Sequence, residues 1–124
     1  MQPHPFADRL GLAWTDRGAG RSTCVLDLRD EHMNPHAVAH GAVLFALADT
    51  GMGAALYATL QPDESCATIE IKINFLRPVR SGRVICESTL LARGRRVANL
   101  ESRLTADGEL VASANGNFAI FPRR

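Results

Sequence analysis

Residues 41–60 read GAVLFALADTGMGAALYATL, a stretch that is apolar on every side and carries one charged side chain, Asp49. Its length meets the rule of about 20 residues for a membrane span. A charge near its middle, the Ala and Gly crowded at Gly51–Ala55 and the lack of a basic cluster at either end argue against that reading. A helix wrapped by a sheet and by partner subunits explains the same all-round apolarity. Upstream, Asn34-Pro35 delays helix formation, so the helix is expected to begin close to His40-Gly41. Downstream, Gln61-Pro62-Asp63 is expected to end it near Leu60.

Beyond the helix the pattern changes to period two. Ala67, Ile69, Ile71, Ile73 and Phe75 alternate with Thr68, Glu70, Lys72 and Asn74, which predicts a strand with one apolar face. Val84–Arg93, Arg96–Thr105 and Leu110–Phe121 are further strands, the last two joined by the hairpin signal Asp107-Gly108. Before the helix, Leu12–Arg17 and Ser22–Arg29 read as strands around the turn Gly18-Ala19-Gly20, preceded by a helical turn over His4–Leu10 that ends at Gly11. Two strands, a long helix and four strands, with no alternation of helix and strand, define an α+β chain. Its antiparallel sheet of about six strands packs against one helix in a single domain over residues 1–124. The many Ala, Gly and Ser of Leu110–Phe121 are expected to let another surface approach closely, and an oligomer follows naturally.

Composition narrows the class. The chain is 46% hydrophobic and 22% charged, ordinary for a globular domain, and its net charge of +1 gives no reason to expect a nucleic-acid partner. The basic residues are nearly all Arg, with Lys72 the only lysine, a bias compatible with a phosphorylated ligand. Cys24, Cys66 and Cys86 are odd in number, widely spaced and without a CxxC pair, so buried free thiols in a reducing compartment are expected. The N-terminal MQPHPFADRL lacks the layout of a secretory signal. A cytoplasmic location is the expectation.

The chemistry concentrates in His32–Gly53, HMNPHAVAHGAVLFALADTGMG. Asp49 in an apolar helix must be hydrogen-bonded, neutralised or lining a site, and on the helix alone a purely structural Asp is an equal reading. At the helix start, first-turn N–H groups lack acceptors, and Gly41 has no side chain to block an approaching carbonyl oxygen. Its N–H can therefore serve as an oxyanion donor in acyl transfer. Asp49 lies two turns further on, about 12 Å by helical rise, too far for both to touch one reacting carbon. Two antiparallel copies of the helix at a dimer interface would bring them together, so a site shared between chains is expected. His32, His36 and His40 recur every four residues, but Asn34-Pro35 interrupts the helix that would align them; no metal site is inferred, and His32 and His36 are expected to face solvent from a loop.

Asn34-Pro35, His40-Gly41 and Ala46-Leu47-Ala48-Asp49 together resemble the signature of the PaaI-like branch of hotdog-fold thioesterases, named for the phenylacetate pathway. The resemblance continues in Pro5-Phe6-Ala7 with Leu10-Gly11, in Asn74-Phe75-Leu76-Arg77-Pro78 and in Gly94-Arg95-Arg96, so it spans nearly the whole chain. It departs at Ala42, where the family usually has a second glycine after the histidine. The resemblance implies a hotdog fold and hydrolysis of small acyl-CoA thioesters, arylacetyl-CoA such as phenylacetyl-CoA or hydroxyphenylacetyl-CoA among them. No metal or redox cofactor is implied, and the expected assembly is a homotetramer built as a dimer of dimers.

By the same resemblance Asp49 would be the nucleophile or general base and Gly41 the oxyanion donor. His40 would position the thioester, and Asn34 would orient the water or the carboxylate. Thr68 matches a Ser/Thr position beside the nucleophilic water, while an ordinary strand threonine is as good a reading. Arg93, Gly94, Arg95 and Arg96 make a basic turn that reads by itself as a solvated hairpin end. Beside a CoA site they become phosphate-binding candidates, with Arg77 a weaker one. The rival from another class is a non-catalytic module that binds acyl-CoA, against which stands the retained Asp49. A hotdog hydratase is disfavoured because no His follows Asp49 to complete an Asp/His pair.

Overall fold

The computed structural model describes residues 3–124. The elements run α1 (Pro5–Leu10), β1 (Ala13–Gly18), β2 (Arg21–Asp27), α2 (Gly41–Tyr57), β3 (Glu64–Phe75), β4 (Arg83–Arg93), β5 (Val97–Ala106) and β6 (Glu109–Pro122). All six strands join one antiparallel sheet in the order β1-β2-β4-β5-β6-β3, and α2 lies along its inner face. Asp107 and Gly108 both take positive φ (51° and 76°), the geometry a two-residue hairpin turn requires.

The helix is apolar all round because it has two different jobs on two faces. Val43, Leu44, Leu47, Ala48, Gly51, Met52, Ala55 and Leu56 recur at helical spacing and are buried against the sheet. Serine hydroxyls of the inner sheet face then fix the helix in register. Ser22 Oγ donates to the Gly51 carbonyl (2.7 Å), Ser102 Oγ to that of Ala48 (3.0 Å), and Ser88 and Ser102 share a 2.7 Å bond. Gly51 is obligatory in this packing, since a Cβ there would collide with Ser88 Oγ. No helix among the described residues is long and apolar enough to cross a membrane.

Three expectations change. The helix stops at Tyr57, not near Leu60, because the chain tightens into i+3 bonds (Thr59 N–H to Leu56 O, 2.8 Å; Leu60 N–H to Tyr57 O, 3.1 Å) while Thr59 Oγ1 also donates to Leu56 O (2.7 Å). The unbroken alternation of β3 fails at a bulge: Thr68 pairs with Phe118 and Glu70 with Asn117, leaving Ile69 as the extra residue, 56% exposed. The bulge turns Thr68 toward the helix along with Ile71 and Ile73. His32 does not face solvent; it is 2% exposed, its Nδ1 accepting from Arg29 N–H (2.9 Å) and its Nε2 lying 2.8 Å from Leu10 O. On β6, Ala112, Ala114 and Gly116 face the chain's own core, where a Cβ at Gly116 would meet Ile71 and Met52, while Ser113, Asn115, Asn117 and Ala119 face outward. Cys24 and Cys86 are buried as free thiols, whereas Cys66 is only half-buried.

Candidate active site

The loop before α2 is built by Asn34. Its Oδ1 accepts from His36 N–H (2.8 Å) and Val38 N–H (3.5 Å), while its backbone exchanges bonds with Val38 and Ala37. Ala37 accordingly sits at a φ of 61°. The loop delivers His40 to the N-cap of α2, where its Nδ1 accepts from Ala42 N–H (2.9 Å) and its Nε2 has no partner among the described residues. The Gly41 N–H has no acceptor among the described residues. Gly41 is small for a local reason as well: the Phe75 ring comes within 3.1 Å of where its Cβ would be.

Two turns along α2, Asp49 projects beside the helix toward the edge strand β3. Thr68 Oγ1 donates to Asp49 Oδ1 at 2.7 Å, and Oδ2 has no other partner among the described residues. The pair opens into a groove of about 580 Å³. One wall is the helix face Ala46, Asp49, Thr50, Gly53, Ala54 and Tyr57, spaced three and one residues in turn, which is one side of a helix. Cys66–Thr68 and Phe118 form the other wall, and Pro3, His4, Phe6 and Arg17 close the end. Burial pushes the Cys66 thiol above its ordinary pKa, so at neutral pH this sulfur is a thiol rather than a thiolate nucleophile.

The candidate residues of loop, helix and strand therefore divide. Asp49 and Thr68 meet, 19 positions apart in sequence, while Asn34, His40 and Gly41 cluster at the helix start and do not line the groove. Helical rise separates the two half-sites by about 12 Å. The basic residues divide too. Arg93 is held by Glu64 (2.7 Å) and its own neighbour's carbonyl at Gly94 (2.7 Å), and Arg77 pairs with Glu109 (3.2 Å). The side chains of Arg95 and Arg96 are exposed and unpaired among the described residues. Gly94 is needed because a Cβ would crowd the Val97 carbonyl at 3.1 Å within the turn, not because its backbone is left-handed.

Sequence reading did not single out Gly53, Tyr57, Arg17 or Cys66 as lining residues. Counting four and eight positions from Asp49 would have found Gly53 and Tyr57, which share its face. Nothing local marks Arg17 or Cys66, which arrive from other strands.

A six-stranded antiparallel sheet closed over one long helix, with a helix carboxylate held by the edge strand, is the hotdog architecture. Residues 36–113 match the model of the Thioesterase superfamily, and the chain belongs to that family as a thioester hydrolase. The conserved protein PA5202 of Pseudomonas aeruginosa is 32% identical and superposes with a TM-score of 0.92, covering 96% of this chain and 95% of that one. A single-residue mutant of the phenylacetic acid degradation protein PaaI from Thermus thermophilus is 28% identical, with a TM-score of 0.87 over 94% of this chain and 98% of that one. A candidate esterase of Pseudomonas aeruginosa, PA0474, is 33% identical over 116 residues, 92% of this chain and 87% of its own length.

Proposed function

We propose that this chain hydrolyses acyl-CoA thioesters, arylacetyl-CoA among them, to the free acid and CoA in the cytoplasm, with Asp49 as its catalytic carboxylate. The observation that carries the reading is the Thr68–Asp49 bond at the wall of the groove: one carboxylate oxygen is held at 2.7 Å and the other is free to act. In one route Asp49 takes a proton from water as the oxygen attacks the carbonyl carbon. In the other Asp49 itself attacks, giving a mixed anhydride that water then cleaves. Both form a carbon–oxygen bond, break the carbon–sulfur bond and release CoA as its thiol. In a single turnover in oxygen-labelled water, label in Asp49 marks the covalent route with water attacking the Asp49 carbonyl, whereas direct attack by water puts all the label in the product acid. Trapping the anhydride with hydroxylamine detects the covalent route whichever carbonyl water attacks.

Gly41 of the partner subunit supplies the oxyanion donor in this scheme, because the Gly41 N–H lacks an acceptor among the described residues and lies too far from Asp49 of its own chain. Asn34 acts through the loop it organises, and His40 Nε2 is the atom available to the thioester. The exposed β3 edge supports a dimer: a 12-residue edge strand bearing exposed Ile69 and Phe75 is a template for a second copy. A tetramer of two such dimers is the proposed assembly. Arg95 and Arg96 are the phosphate-binding pair; Arg93 and Arg77, already neutralised by carboxylates, contribute less.

Hydrolysis is tested by a thiol-release screen over acetyl-, long-chain and aryl-acyl-CoA, which should show turnover with at least the aryl substrates. No release from any acyl-CoA would overturn the reading. The shared site is tested by mixing Asp49→Ala subunits with Gly41→Val subunits, each inactive alone. Hybrids should regain activity, and folded hybrids with none would place both groups in one chain.

A further inference from the structure

Two glycines sit in the interior of α2, where alanine is the favoured residue. The packing accounts for Gly51, whose Cβ would strike Ser88 Oγ. It does not account for Gly53. A Cβ there would have, within 4 Å and among the described residues, a single neighbour beyond its own helix, Phe118 Cε2 at 3.9 Å, an ordinary van der Waals contact, and the backbone is right-handed. The fold could take alanine at this position without displacing anything.

What the missing side chain preserves is the groove. Gly53 lines it one turn beyond Asp49 on the same helix face, about 6 Å along the axis. That distance is close to the reach from a thioester carbon to the far edge of a ring carried on one methylene. Around this point stand the Phe118 edge and the exposed apolar faces of Phe6 and Tyr57, with the Tyr57 hydroxyl accepting from Arg123 Nη2 at 3.1 Å. A two-carbon acyl group would not reach it.

From the unexplained glycine, its place in the groove and its spacing from Asp49, we infer that Gly53 sets the bulk of the acyl group the enzyme accepts, its bare backbone forming the floor under a ring-bearing acyl chain. The inference rests on the assignment of Asp49 as the catalytic carboxylate. Acetyl-CoA and phenylacetyl-CoA are compared for kcat/KM on the wild type, Gly53→Ala and Gly53→Val, with melting temperatures for each. Small steric changes in an apolar pocket alter discrimination by about 10–200-fold. Gly53→Val should lower kcat/KM for phenylacetyl-CoA within that range and leave acetyl-CoA near wild type, with Gly53→Ala between. Gly53→Ala should melt no lower than the wild type, which keeps the test open if the valine variant folds poorly. Equal loss on both substrates, or none on either, overturns the inference while leaving hydrolysis by Asp49 standing. A wild type that hydrolyses other acyl-CoAs but neither of these overturns this inference alone; one that releases thiol from no acyl-CoA overturns the functional reading itself, and this inference with it. Binding of a non-hydrolysable phenylacetyl thioether of CoA gives the same discrimination without turnover: weakened by Gly53→Val if the ring lies over Gly53, unchanged if it does not.

Discussion

Replacing Gly51 and Gly53 by alanine, one at a time, should move stability in opposite directions although the residues are two apart on the same helix. Alanine gains about 0.8–1 kcal/mol over glycine in a helix interior. At Gly53 nothing opposes that gain, because the new Cβ meets only Phe118 Cε2 at 3.9 Å. At Gly51 the Cβ collides with Ser88 Oγ and lies 3.4 Å from Cys86 Sγ. Overpacking of this kind costs about 1–3 kcal/mol. Displacing Ser88 also breaks its 2.7 Å bond to Ser102, which contributes about 1 kcal/mol more. Gly53→Ala should therefore be stabilised by up to about 1 kcal/mol and Gly51→Ala destabilised by about 1–3 kcal/mol. A kilocalorie corresponds to roughly 4 °C in Tm for a chain of this length, so the variants should be well separated. Urea unfolding followed through Trp14 measures the difference directly. Adding Ser88→Ala to Gly51→Ala should recover most of the loss, since the colliding oxygen is gone. Equal stability of the two single variants, or no recovery in the double, would refute the packing argument for Gly51.

Thr68→Val keeps the shape of the strand and removes the donor that positions Asp49 Oδ1; misplacing a reacting group costs up to about 10²-fold, so kcat should fall about tenfold or more while KM changes little. Unchanged kcat would make Thr68 an ordinary strand residue. Arg95→Ala and Arg96→Ala should raise KM for acyl-CoA with little change in kcat, an effect that weakens with salt and vanishes for an acyl-pantetheine lacking the nucleotide. Equal losses on both substrates would assign the arginines to the fold. Cys66→Ser should leave turnover near wild type, and alkylation of Cys66 should accelerate only at a pH above that of an ordinary thiol, because burial raises its pKa. Abolished turnover in Cys66→Ser would make the thiol part of the chemistry.

The long helix is legible because Asn34-Pro35 and Gln61-Pro62 bracket a single apolar run, and its start at Gly41 follows from them. Its end is not, since Ala58 and Leu60 stay apolar while the hydrogen bonding has already tightened. Asp49 stands out as the lone charge in that run. Thr68 can be reached only by resemblance: a strict period of two puts it opposite Ile71, and the bulge at Ile69 that brings both to the helix side has no sequence mark. The burial of His32 escapes a local reading because it depends on Leu10 O, supplied 22 residues away by the end of α1. The separation of Gly41 from Asp49 needs only helical rise, which is why a site shared between chains can be expected from sequence. Gly51 and Gly53 look alike in sequence, and only the serine ladder beneath one of them tells them apart.

The most direct test is the turnover of Asp49→Asn, which keeps the size of the side chain and its contact with Thr68 but removes the charge and the basic oxygen. Thiol release from phenylacetyl-CoA is followed at saturating substrate beside binding of a non-hydrolysable analogue. Loss of the catalytic carboxylate should lower kcat by about 10²–10⁴-fold, the range for general acid–base groups, with analogue binding preserved. Turnover near wild type in a folded Asp49→Asn enzyme would contradict it.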